Sequence, residues 1–141
     1  MSQIKVKPIT QSFALEDLPP TMNEIVAMAK PFKKSRKCSA YDLAKIEWNV
    51  TIGAIICSKN LIPFTTPVWV HLRFFNKRID RDNLRACQKF ILDGMVECKF
   101  IVSDSQKWVD ITYKEEEPLA GVAVIVTVSD KPIYKQVLIE Y

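Results

Sequence analysis

The chain has 141 residues, of which 48% are hydrophobic and 26% are charged, and its formal net charge is +4 at pH 7. This length and composition predict a single globular domain spanning residues 1–141 and exclude a chain that is disordered throughout. Three glycines are too few for the glycine-rich loops that cradle nucleotides, and no apolar run is long enough to span a bilayer. The mild positive charge is compatible with an anionic partner but does not require one.

Cysteine and histidine usage argues against several catalytic classes. The four cysteines show no CxxC spacing and His71 is the only histidine, so a zinc site of the usual kind is not expected. His71 falls in an alternating strand pattern, where we expect a packed or surface side chain rather than a catalytic base. The N-terminus has no signal-peptide pattern, so we expect a cytoplasmic protein with reduced thiols, no organic cofactor and no membrane contact.

The first half of the chain predicts one strand and two helices. Residues 9–15 alternate as a strand, and the tandem prolines that follow end it. Thr21 and Glu24 form a capping box for a short helix through about residue 28. A second helix begins at residue 39 or 42 and runs to about residue 57. The residues predicted to form its buried side are Leu43, Ile46, Trp48, Val50, Ala54 and Ile55.

The second half predicts a third helix and further strands. Residues 67–75 alternate as a strand, with Val68, Val70, Leu72 and Phe74 toward the core. Residues 81–97 form an amphipathic helix whose apolar stripe contains Leu84, Cys87, Ile91, Met95 and Cys98. Its charged side carries Asp82, Lys89 and Asp93. Residues 107–113 and 121–128 are predicted strands, and residues 137–141 are a candidate edge strand. The order predicts an α+β fold, a single compact domain with a small mixed β-sheet covered by about three helices.

One stretch of the chain concentrates acidic and basic residues. Asp80 and Asp82 stand at the start of the predicted third helix, and Asp104 follows that helix. Carboxylates this close repel one another, and burying them without partners is costly. Mg²⁺ relieves that repulsion, because it takes oxygen ligands from carboxylates and from substrate phosphates. The bases around the three acids are Lys77, Arg78, Arg81, Arg85, Lys89 and Lys107. This pattern predicts a metal-dependent enzyme that acts on nucleic acid.

Simpler interpretations of these charges stay open beside the metal site. The charged side of the third helix is also what any solvated amphipathic helix presents. A calcium-binding EF-hand loop is excluded, because Leu84 and Ile91 stand where that loop needs oxygen ligands. An earlier basic run is either a solvated loop or an arm for the phosphate backbone of DNA. It consists of Lys33, Lys34, Arg36 and Lys37.

Three separated motifs occur in a fixed order along the chain. They are Leu18-Pro19-Pro20-Thr21-Met22-Asn23, Asp80-Arg81-Asp82-Asn83-Leu84 and Asp104-Ser105-Gln106. Together they resemble the signatures of RusA-type Holliday junction resolvases, and the predicted order of strands and helices agrees along nearly the whole chain. The resemblance implies a small homodimeric endonuclease, in many cases encoded by a bacteriophage or prophage. Such an enzyme cuts four-way DNA junctions with Mg²⁺ or Mn²⁺ by paired symmetric nicks.

The resemblance also implies roles for individual residues. Asp80, Asp82 and Asp104 would be the metal-binding catalytic carboxylates, and Lys89 would stabilise charge on the phosphate under attack. The other basic residues named above would contact phosphates of the branched DNA without reading bases. They are Lys33, Lys34, Arg36, Lys37, Lys77, Arg78, Arg81, Arg85 and Lys107. The enzyme would act in DNA recombination and repair in the cytoplasm of a bacterial host.

The sequence departs from the family pattern in two places. The family usually has a lysine four residues after the second aspartate, and Ala86 stands there. Lys89, followed by Asp93 four residues later, restores the pattern if three residues are inserted after Leu84. Ser103 stands where the family often has a further acid, which leaves the number of metal ions open. A DNA-binding module without catalysis, or a metal nuclease for other branched DNA, are the alternative functions.

Overall fold

The computed structural model describes residues 9–19, 40–75 and 81–132, and of residues 40, 41, 81 and 82 it describes the backbone. The four strands of this part are β1 (Thr10–Leu15), β2 (Val68–Phe74), β3 (Val109–Glu115) and β4 (Val124–Ser129). They form one mixed sheet in the order β1-β4-β2-β3. β4 is antiparallel to both of its neighbours, whereas β2 and β3 are parallel. The two helices described are α1 (Ala40–Ser58) and α2 (Arg81–Glu97).

The hydrophobic core lies between the two helices and one face of the sheet. Alternate residues of β2 supply the sheet side, as the sequence pattern predicts, and Val70, Leu72 and Phe74 are at most 1% exposed. The predicted apolar stripe of α2 supplies the helix side, where Cys87, Ile91 and Met95 have no exposed surface. The predicted α2 has the same bounds as the helix in the structure.

The helices approach each other most closely at Gly94 of α2. A Cβ added there would lie 2.6 Å from Cδ1 of Ile52 in α1 and 3.1 Å from its Cβ. Ile52 is fully buried, so neither helix can move away without opening the core. Glycine is therefore required at this crossing for lack of space, although alanine is the better helix former.

The predicted buried side of α1 is right for Trp48 and Ile55, which pack against the core, and wrong for its other members. Leu43, Ile46 and Val50 are 49%, 56% and 66% exposed. Ile52 and Ile56 are buried in their place. Apolar residues occur on every side of this helix, so periodicity alone does not indicate which side meets the sheet.

The α+β class and the mixed sheet are confirmed. The predicted short helix at 21–28 and the predicted edge strand at 137–141 lie outside the described residues. β3 begins two residues later than predicted, and it extends to Glu115. Within the described ranges, no helix has the length and apolarity needed to cross a membrane.

The other face of the sheet carries polar side chains bonded across neighbouring strands. The hydroxyl oxygens of Ser12 and Thr127 are 3.1 Å apart, and Nδ1 of His71 is 2.6 Å from Oγ1 of Thr112. His71 is only 5% exposed. Burial, and after it the charge of Arg73, lowers the pKa of His71 below its ordinary value. Of the two positions that the sequence allows, packed or surface, His71 takes the packed one.

Gly94→Ala should lower the free energy of unfolding by about 1 kcal/mol. Overpacking against Ile52 costs about 1–3 kcal/mol, and alanine inside a helix returns about 1 kcal/mol. Urea unfolding of a double-mutant cycle with Ile52→Val measures the contact, because that change removes the nearest atom. Ile52→Val should cost less stability in the Gly94→Ala background than in the wild type. An equal cost in both backgrounds would contradict the close approach.

His71→Gln should remove a pH dependence of stability. Since the pKa of His71 in the folded chain is below 6.5, the unfolded chain binds more protons between the two values. The wild type therefore loses stability as pH falls below about 6.5, by up to about 1.4 kcal/mol per pH unit. Urea unfolding at pH 7.5 and 5.5 should show the stability difference between wild type and variant shrinking at the lower pH. A difference that stays constant rules out this contribution.

Candidate active site

Two acidic side chains from different segments meet beside the C-terminal half of α2. Asp93 lies on α2, and its side chain is 20% exposed. Asp104 lies on the loop between α2 and β3 and is exposed. The two carboxyl groups are close enough for the charge of Asp104 to raise the pKa of Asp93. Two ionised carboxylates this close repel each other, so a shared proton or a bound cation would stabilise the pair.

The turn that ends α2 determines where Asp104 lies. Lys99 adopts a left-handed conformation with φ of 64°, and its N–H donates to the carbonyl of Val96 at 3.0 Å. The N–H of Phe100 donates to the carbonyl of Met95 at 2.9 Å. These two bonds form a Schellman motif, which usually has glycine at the left-handed position. Phe100 and Ile101 are then buried, at 1% and 2% exposure, and anchor the loop.

The segment after this anchor is a tight turn. The N–H of Ser105 donates to Oγ of Ser103 at 3.2 Å. The N–H of Trp108 donates to the carbonyl of Ser105 at 2.9 Å, and β3 begins at the next residue. Asp104 is therefore held between a buried anchor and the first residue of the sheet. The carboxylate of Asp104 is therefore exposed, but it lies on a short connection rather than on a long loop.

Two lysines balance the acidic pair. Nζ of Lys45, on α1, is 3.9 Å from Oδ2 of Asp93. Lys89 is exposed and lies one helical turn before Asp93 on the same side of α2. Burial raises the pKa of Asp93 above its ordinary value, and the charge of Asp104 raises it further, whereas Lys45 and Lys89 lower it. The net result is a carboxyl group that is costly to ionise.

The side of α2 that carries Asp93 also contains the position of Asp82. At about 100° per residue, Asp82, Lys89 and Asp93 fall within an arc of about 40°. Along the axis, however, Asp82 and Asp93 are about 16 Å apart. Two oxygens bound to one Mg²⁺ at about 2.1 Å are at most about 4 Å apart. While Asp104 stays against Asp93, Asp82 cannot share a metal ion with it.

The sheet topology separates the strand end that comes before Asp80 in the chain from the strand end that comes after Asp104. Asp80 follows the C-terminal end of β2 in the chain, and Asp104 precedes the N-terminal end of β3. Because β2 and β3 are parallel and in register over seven residues, these ends are about 20 Å apart. Asp80 lies outside the described residues, and of Asp82 the backbone alone is described. The ligand set of Asp80, Asp82 and Asp104 therefore stays a prediction, and the structure pairs Asp104 with Asp93.

Asp93 is the residue that the sequence-based choice of ligands leaves out. The sequence places Asp93 on the charged side of α2 and in the family pattern, but does not indicate it as a metal ligand. The available signal is its spacing, four residues after Lys89 and on the same side of the helix. Within the described residues, no three His, Cys, Asp or Glu side chains lie close enough together to hold a metal ion.

The structure describes the side chains of some of the predicted phosphate-binding bases and not of others. Arg85, Lys89 and Lys107 are exposed, as contact with phosphates requires. Of Arg81 the backbone alone is described. The bases that lie outside the described residues are Lys33, Lys34, Arg36, Lys37, Lys77 and Arg78.

Comparison of the chain with protein-family models gave no match, and comparison with curated proteins gave none either. The functional interpretation therefore depends on the residues and on their geometry.

Asp93→Asn should raise the free energy of unfolding at pH 7 by up to about 1 kcal/mol. It removes a carboxylate that burial and Asp104 make costly to ionise, at the loss of a weak pair with Lys45. Because the pKa of Asp93 is raised on folding, the wild type loses stability as pH rises from 3.8 through the raised value. The gain of the variant should therefore be complete at pH 7 and smaller near pH 3.5.

Urea unfolding at the two pH values measures this gain. Asp110→Asn is the matched control, because Asp110 is an exposed aspartate on β3. A variant less stable than the wild type at pH 7 would mean that the pair with Lys45 outweighs the cost of ionising Asp93.

Proposed function

We propose that the protein is a metal-dependent endodeoxyribonuclease of the RusA type that resolves four-way DNA junctions by paired nicks. The observation that carries this proposal is the proximity of Asp104 to Asp93, whose pKa it raises, beside exposed Lys89. Two carboxylates supply hard oxygen ligands, and the neighbouring amine supplies a phosphate contact. The motifs around Asp82 and Asp104 support the same activity.

The residues fit a Mg²⁺ or Mn²⁺ ion at the acidic pair. Burial and mutual repulsion raise the pKa of Asp93, and a divalent cation would offset that cost of ionisation. Asp93 and Asp104 would be its protein ligands, while Asp80 and Asp82 would act at the other end of α2. The ion, when bound, would supply an activated water and neutralise the departing 3′ oxygen.

The chain's own residues bind and orient the DNA. Lys89 lies between the two acidic positions of α2 and contacts a non-bridging oxygen of the scissile phosphate, where charge grows during cleavage. Arg85 and Lys107 are exposed, and they hold the flanking phosphates without reading bases. Binding to DNA should therefore weaken steeply as the salt concentration rises.

The proposed substrate also favours a homodimer. A four-way junction has near two-fold symmetry, and paired nicks need two sites at a fixed separation. A dimer with two-fold symmetry meets this need with one type of chain. In this arrangement, each protomer cuts one of two opposed strands.

A DNA-binding module without catalysis is the second candidate. The observation in its favour is that Lys45 and Lys89 already surround Asp93, so the cluster can exist as an ion network without a metal. In that case the acids only adjust the local charge. Cleavage assays separate the two candidates directly.

Asp104→Asn and Asp93→Asn should each reduce cleavage of a synthetic four-way junction in Mg²⁺ by about 100-fold or more, since loss of a metal ligand costs several kcal/mol of transition-state stabilisation. Junction binding, measured by mobility shift, should persist or tighten, because a like charge near the DNA is removed. Glu115→Gln, an exposed change at the far end of β3, is the control.

Asp82→Asn tests how the acids are grouped. Loss of cleavage in this variant as well as in Asp93→Asn would place both ends of α2 in the catalytic centre. Normal cleavage by Asp93→Asn would remove that residue from the site. Tight junction binding by the wild type with no nicks in Mg²⁺ or Mn²⁺ would overturn the nuclease and favour the binding module.

A further inference from the structure

An open cleft of about 570 Å³ lies where β2 and β3 begin. Its lining includes two indole side chains, Trp69 and Trp108, which are both half-buried. The polar side chains at the cleft are Gln106, Lys107 and Asp110. Its volume is within the range of ordinary small-molecule sites, and two aromatic side chains with a few polar groups are typical of such sites.

The two indoles are held by the sheet rather than by a mobile loop. The N–H of Val68 donates to the carbonyl of Trp108 at 2.8 Å, which joins the backbone just before β3 to the start of β2. Trp69 lies beside Asp110 in the register of the two parallel strands. Trp108 also packs against the hydrophobic core. Side chains positioned in this way lose little conformational entropy when a flat ligand stacks on them.

The cleft is close to the acidic pair along the chain. Gln106 is two residues after Asp104, so their Cα atoms are at most about 7.6 Å apart. Successive phosphates of one DNA strand are separated by about 3.4 Å along the helix axis. A strand with a phosphate at Asp104 therefore reaches the cleft within a few nucleotides.

We propose that this cleft binds an unpaired nucleobase of the DNA strand that passes Asp104, stacked against Trp69 and Trp108. The inference rests on the proposed function, since it takes DNA as the substrate. Aromatic side chains bind bases of any sequence through their π-faces, and a lysine beside them binds the adjoining phosphate. Lys107 is exposed at the cleft and supplies that cation.

The polar side chains fit the edge of a base. Asp110 is an acceptor for an N–H on the edge of a base, such as N3–H of thymine, and the amide of Gln106 both donates and accepts.

This site gives the protein a means to prefer branched DNA. Bases in a continuous duplex are stacked and paired, and removing one costs a few kcal/mol. At a branch point a base is already partly unstacked, so the cost is smaller. Capture of that base in the cleft therefore favours branched over linear DNA.

Tryptophan fluorescence tests the site directly, in a Trp48→Phe background that retains Trp69 and Trp108. The probe is a short single-stranded oligothymidylate in EDTA, so that no cleavage occurs. Stacking of a base should quench the emission, and a fully abasic strand of equal length should bind through its phosphates without quenching. This comparison needs no change in the cleft itself. Quenching of equal size by the abasic strand would overturn the nucleobase site.

Variants give the second measurement. Trp108→Ala should weaken binding of the oligothymidylate by about 10-fold or more, the usual effect of losing one stacking partner. Trp108→Phe keeps an aromatic ring and should stay within about 3-fold of the wild type. Tyr113→Ala removes an exposed aromatic on β3 that does not line the cleft, and it should leave binding unchanged. Unchanged binding by Trp108→Ala would overturn the inference.

A parallel assay of junction cleavage in Mg²⁺ separates this inference from the proposed function. Cleavage by the wild type without quenching would reject the nucleobase site and keep the nuclease. Quenching that depends on bases and on Trp108, without cleavage, would keep the site and reject the nuclease. Absence of any DNA binding would reject both.

Discussion

The main-chain carbonyl of Met95 is the point on which the candidate site depends. It accepts hydrogen bonds from the N–H groups of both Phe100 and Ile101, at 2.9 and 3.3 Å, while the Met95 side chain is fully buried. These bonds end α2 and bury the first residues of the following loop. They set the path of the segment that carries Asp104 from the helix toward β3, where the bond from the N–H of Val68 to the carbonyl of Trp108 joins it to the sheet.

The acidic pair is an arrangement that folding alone does not favour. Asp93 is half-buried next to Asp104, and a polar uncharged residue in its place would avoid the repulsion between the two carboxyl groups. Active sites commonly contain groups that are costly to ionise, because the repulsion between two carboxylates also favours binding of a cation or a proton. The cost is small, since Lys45 and Lys89 offset part of it. The fold tolerates it because the core between α2 and the sheet is closely packed.

Acidic and basic positions alternate along one side of α2. The helix is about 25 Å long at 1.5 Å per residue, and acidic positions lie near both of its ends with Lys89 between them. A DNA strand that follows this helix would meet a carboxylate, a cation and a second carboxylate in turn. The nucleobase cleft continues this path past Asp104. One continuous polar surface would then contain both the proposed site that binds a base at the branch point and the proposed site that cleaves the strand.

The sequence by itself determined the α+β class, the bounds of α2 and the core residues of β2, because each is encoded in local periodicity. For His71 it allowed a packed or a surface side chain, and the structure decides for the packed one. It did not determine which side of α1 is buried, since that helix is apolar all round and the sheet makes the choice. Nor did it group Asp104 with Asp93, because the ten residues between them comprise the end of α2 and the following loop, and the Schellman turn at Lys99 sets the path of that loop. Local pattern specifies elements, whereas contacts between distant segments require the packed chain.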